Sequence, residues 1–178
     1  MITESLLDRY EEYRTRRFLK NEEITGGWMP NWRTRRRRRI LAVAVMVLIA
    51  LMFVASIASY FTMAAAIAWL PVTLVFLPTW TCLQIVSGRQ SDAPRRALDE
   101  REIAERNSAR SIGLSVAQGL LMIPIFALLW SPAIDSIDHR ALAYSAGGFA
   151  LASILFSGCL PAVLLAWTRP DDDPEDLL

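Results

Sequence analysis

Few residues in this chain are of types that could carry acid–base, metal or nucleophilic chemistry. The one histidine, His139, lies in the stretch 131–140, SPAIDSIDHR, beside Asp135 and Asp138. Two carboxylates and an imidazole so close could bind a divalent cation or sense pH. On a short loop the signal is weak, and ordinary solvation accounts for all three. A second acidic group, Asp99, Glu100, Glu102 and Glu105, has arginines in reach and no histidine near it. Arg96 with Glu100, Arg101 with Glu105, and Glu102 with Arg106 are spaced four apart, which reads as the salt-bridged face of a solvated helix. The cysteines, Cys82 and Cys159, fall in or at the ends of apolar runs without histidine partners, so they read as small buried apolar residues. No GxSxG, HExxH or P-loop occurs. The expectation is a protein that is not an enzyme and has no cofactor or metal.

Two further features could carry function by contact. Arg33, Arg35, Arg36, Arg37, Arg38 and Arg39 form a basic cluster directly ahead of an apolar run. Such a cluster fixes membrane orientation, and it can also hold anionic lipid at a membrane surface. Orientation is the favoured reading. Nucleic acid is not an expected partner, since no aromatic-interleaved fold surrounds the cluster. Gln118 is the most polar residue deep in an apolar run, a candidate for a polar pathway but better read as an interhelical hydrogen-bonding group.

The elements that position these residues follow from charge spacing. Residues 40–88 contain no charged residue at all. A bilayer core about 30 Å thick is crossed by roughly 20 apolar residues, so this run suffices for two crossings and is too long for one. With 53% hydrophobic residues in 178, the chain reads as one compact membrane unit. The fold class expected is an all-α membrane protein with four transmembrane helices in two hairpins, at about 40–59, 61–81, 112–130 and 141–167. Pro71 and Pro78 should kink the second span by freeing the carbonyls of Ile67 and Leu74, with Thr73 or a neighbouring helix as a candidate to satisfy them. Pro124 should kink the third.

Three domains of behaviour follow. Residues 1–32 hold a surface helix, about 4–20, with Leu6, Leu7, Tyr10, Tyr13 or Arg14, and Phe18 along one stripe. It either docks on headgroups or a partner, or packs on this chain's own loop. The charged start also lacks the apolar core of a signal peptide, so the N-terminus is expected to be retained. A break at Thr25-Gly26-Gly27 and Pro30, flanked by Trp28 and Trp32, leads to the membrane domain, 33–168, which includes the loop 88–110. Ser91 or Asp92 with Pro94 looks like a helix start there. Residues 169–178 form an acidic tail.

Small residues recur on two spans. Ser111, Ser115 and Gly119 are four apart on the third, and Ala143, Ala146, Ala150, Ser153 and Ser157 follow 3,4 spacing on the fourth. Such stripes let helix backbones approach closely in lipid. Ten arginines precede the first span, six of them in the cluster at 33–39, and six lie in the 88–110 loop, against one in the outer loops. The positive-inside rule therefore places both termini in the cytoplasm, and the bias of 18 arginines to one lysine hints at a bacterial source, hence an inner membrane.

The segments LDERE, beginning at Leu98, and LPAVLLAWTRPDD, beginning at Leu160, resemble small uncharacterised multi-pass membrane proteins of actinobacteria. That resemblance implies a membrane class and a bacterial source, and no functional residue. The surfaces available point to action by association, as an accessory or assembly subunit of a larger membrane complex, with other membrane subunits, the bilayer and anionic lipid as partners. The alternative is a small homo-oligomeric transporter or channel.

Overall fold

The computed structural model describes residues 2–25, 28, 32, 34–87 and 99–168. Arg33, Gly26, Gly27, Pro30, the proposed helix start at Ser91, Asp92 and Pro94, the Arg96–Glu100 pair and the acidic tail lie outside the described residues, as do the side chains of Leu6, Leu7 and Arg14. Every described element is helical: α1 (Ile2–Thr25), α2 (Arg35–Phe61), α3 (Met63–Ile67), α4 (Trp69–Val86), α5 (Glu100–Trp130) and α6 (His139–Thr168), with one 3-10 turn at Ser131–Ala133. Among the described residues four stretches are long and apolar enough to cross a membrane: Arg35–Phe61, Met63–Val86, Glu100–Ala133 and His139–Thr168. α1 runs a turn further than the expected 4–20, and its Tyr10 and Tyr13 are exposed.

The element ends have local causes. α2 stops at Thr62, whose extended backbone breaks the helix while its hydroxyl accepts from Ala64 N. The chain restarts at once as α3, which closes within five residues. Pro71 does not kink a continuous helix as expected. Its ring conflicts with the carbonyl of Ile67, four residues back, and α3 ends at Ile67. The turn at Ala68 then places Pro71 in the first turn of α4, where a missing N–H costs nothing. Pro78 does lie inside α4, and the hydroxyls of Thr79 and Thr81 donate to the Val75 and Leu77 carbonyls nearby. α5 begins with a capping box in which Asp99 accepts from Glu102 N and Glu102 accepts from Asp99 N.

The packing order is α4, α2, α6, α5. α2 and α6 pack along most of their length, α4 leans on α2, and α5 leans on α6. The apolar windows of α2 and α6 are 39% and 44% buried, those of the α4 and α5 spans only 11% each, so the central pair carries the core and the outer pair faces outward. That core is Ala42, Val45, Ile49 and Met52 from α2, Phe76 and Leu83 from α4, and Ala152, Cys159 and Ala166 from α6. Phe53 sits edge-on to Phe149 at 4.8 Å and to Phe156 at 6.4 Å, locking α2 to α6. Lipid tails are as apolar as leucine, so burial supplies little drive between such helices, and close packing must hold them. The buried serines fit this: Ser56, Ser59 and Ser153 donate to carbonyls of their own helices and so sit in the core satisfied.

Candidate functional site: two helix faces and an arginine seam

Among the described glycines, two sit too close to a neighbour to take a side chain. A Cβ on Gly113 would lie 2.8 Å from the Ser157 carbonyl oxygen, with Pro161 also in contact. One on Gly148 would lie 2.9 Å from Ser56 Oγ and 3.3 Å from Trp69. Gly113 therefore seats α5 on α6, and Gly148 lets α6 approach α2 and the start of α4.

The small stripe of α6 is largely used inside the chain. Ala146 and Ser153 are buried, Ala150 and Ser157 half-buried, and only Ala143 is exposed. On α5 it is Gly113 that meets α6, and with the buried Ala109 and the half-buried Ala117 it forms a second small-xxx-small series two positions away from Ser111, Ser115 and Gly119. Two residues on a helix amount to about 200°, so the two series lie on opposite sides. Ser111, Ser115 and Gly119 are exposed, and nothing lies within 4 Å of a Cβ built on Gly119. Gln118 is exposed on the same outward side. The sequence signal for the 109, 113, 117 series was present but identical in form to the other, and spacing alone does not choose between them.

Of the arginines, Arg35, Arg36 and Arg37 are exposed at the start of α2, Arg39 is half-buried, and Arg38 is 1% exposed. Arg39 lies over the Trp167 ring at 4.6 Å and donates through Nη2 to the Trp167 carbonyl at 3.3 Å, tying the start of α2 to the end of α6. Arg37 instead lies over Trp32 at 5.4 Å. Arg106, on the inner face of α5, is 4% exposed. Neither burial carries a signal in the sequence, because an arginine next to a span looks the same whether it points to water or into the bundle end.

The acid–base candidates separate. Asp138 accepts from the backbone N–H groups of Arg140 and Ala141, so its carboxylate caps α6. Asp99 and Glu102 serve the cap of α5, and Arg101 pairs with Glu105 at 3.0 Å on its exposed face. Cys82 is half-buried and Cys159 buried, both as free thiols. Among the described residues no group of three His, Cys, Asp or Glu side chains is placed to hold a metal ion.

A cleft of about 760 Å³ opens between α4 and α5 over α6, walled by the parallel rings of Phe76 and Trp80 and ending at Gln84 and Arg110. The chain matches no family model, no curated protein and no solved structure.

Proposed function

We propose that this chain is a non-catalytic multi-pass protein of a bacterial inner membrane that works by association, as an accessory or assembly subunit of a larger membrane complex. In this reading the spans thread the bilayer as two hairpins with both termini cytoplasmic, as the arginine distribution requires. α1 then lies at the cytoplasmic surface with its exposed Tyr10 and Tyr13 at headgroup level.

The observation that carries the reading is the outward face of α5. Gln118 lies about 12 Å along the helix beyond Arg110, hence well inside a hydrocarbon core, and it is exposed. A side-chain amide facing lipid without a partner costs several kcal/mol. Ser111, Ser115 and Gly119 beside it offer the low surface on which another helix backbone can come close enough to bond that amide. A second membrane helix on this face resolves the cost, and interhelical bonds of this kind contribute roughly 0.6 to 2 kcal/mol.

A homo-oligomeric transporter would use the same face, with Gln118 lining a path between copies. Purification from native membranes in mild detergent, followed by native mass determination, separates the two. A stoichiometric different protein supports the accessory-subunit reading. Copies of this chain alone favour the transporter, and flux in liposomes that falls with Gln118→Leu would establish it.

A further inference from the structure

The seam between α2 and α6 has the build of a lipid site. At its charged end a pocket of about 680 Å³ is lined by Arg35, Arg36 and Arg39 with Ile40 and Val43. A second hollow of about 260 Å³ continues from Val43 past Met46, Val47 and Ala50, with Val163 and Trp167 of α6 as its other wall. The two meet at Val43, so a polar mouth opens directly onto an apolar furrow. Residues 35, 36, 39, 40, 43, 47 and 50 recur at helical spacing, which is why the charges and the furrow share one face of α2.

We propose that this seam binds one acidic glycerophospholipid, with its phosphate at Arg35, Arg36 and Arg39 and one acyl chain in the furrow. Charge selects the headgroup. The mouth presents guanidiniums, among the described residues its lining contains no carboxylate, and the first turn of α2 carries no acidic residue. Arg39 is held in place by its stacking on Trp167 and its bond to the Trp167 carbonyl. Guanidinium forks match phosphate oxygens, and fixing one beforehand lowers the entropy lost on binding. Length selects the chain. From Ile40 to Ala50 the furrow runs about 15 Å along the helix, the depth of one leaflet of a core about 30 Å thick. A cluster that served orientation alone would need charge on one side of the membrane but no furrow beneath it.

The site is built on α2 and α6, away from the outward face of α5, and its test reads lipid on the isolated chain. It therefore succeeds or fails independently of the partner reading. The full chain is purified, delipidated and re-exposed to mixed micelles containing phosphatidylglycerol or phosphatidylcholine, and native mass spectrometry counts retained lipid. Expected are retention of one phosphatidylglycerol and little phosphatidylcholine. Arg36→Gln should weaken retention about fivefold, in line with one basic residue near a charged surface. Val47→Trp, an exposed position where extra bulk leaves the core untouched, should weaken it at least as much by filling the furrow. Arg37→Gln, whose guanidinium lies over Trp32 and does not line the pocket, should stay within twofold. Equal loss in Arg36→Gln and Arg37→Gln, or full retention by Val47→Trp, overturns the site in favour of diffuse attraction. Lipid binding that appears only after removal of residues 169–178 also overturns it, since the acidic tail would then be the occupant.

Discussion

Replacing Gly113 by alanine, with Gly119→Ala as its twin, tests the packing of α5 against α6 at a single atom. The added Cβ at 113 would stand 2.8 Å from the Ser157 carbonyl oxygen, about 0.6 Å short of the 3.4 Å at which ordinary contact begins. The obstacle is backbone, so no side chain can rotate away, and the helices must part. Overpacking of this kind costs about 1 to 3 kcal/mol. Alanine in a helix interior also returns roughly 0.5 to 1 kcal/mol relative to glycine, which blurs the single variant. At Gly119 the same propensity gain applies and the Cβ meets nothing. The difference between the twins therefore isolates the contact, and Gly113→Ala should be about 1 to 3 kcal/mol less stable than Gly119→Ala. Reversible unfolding in mixed micelles of rising dodecyl sulfate content, followed by tryptophan fluorescence, measures it. Twins within about 0.5 kcal/mol of each other would refute the close approach of α5 to α6.

Other outcomes follow from the same structure. Asp138→Ala removes the carboxylate that caps α6 and should cost about 1 kcal/mol, unchanged by zinc or chelator; a metal-dependent stability would contradict its role as a cap. Trp167→Ala removes the ring beneath Arg39 and should cost roughly 0.5 to 1 kcal/mol, a loss that Trp167→Phe should partly restore and that a pure volume effect would not tie to Arg39. Reporter fusions should give a fluorescent protein at residue 178 and an active alkaline phosphatase after residue 137, and the reverse pattern would invert the proposed topology.

The spans were legible because hydrocarbon imposes a composition that little else imitates: residues 40–88 lack any charge, α4 falls inside them, and α2 enters them directly after its five leading arginines. The turn that the expected spans 40–59 and 61–81 put near residue 60 falls at Thr62, although neither glycine nor proline marks it. Pro71 was legible as a disturbance but not as a restart, because the difference between a kink and a break depends on how the neighbouring turn caps itself, here through Ala68. On α5 the small-residue spacing was visible, yet two series satisfied it, and which one meets α6 is decided by tertiary packing at Gly113. Asp138 looked like a ligand candidate by type, whereas its hydrogen bonds to Arg140 N and Ala141 N make it local punctuation. The contact of Arg39 with Trp167 joins distant parts of the chain, and the furrow between α2 and α6 exists only once they pack, so neither leaves a trace in local pattern.

The association account is tested most directly by purifying the protein from its native membranes in mild detergent and weighing the intact complex, for the unaltered chain and for Ser115→Leu with Gly119→Leu. These positions lie outside the α5–α6 contact, whereas enlarging Ala150 or Ser153 would disturb this chain's own interior. The account predicts a stoichiometric different subunit with the unaltered chain and its loss from the variant, whose isolated stability stays unchanged. A single chain in both samples, or a partner retained by the variant, would contradict it.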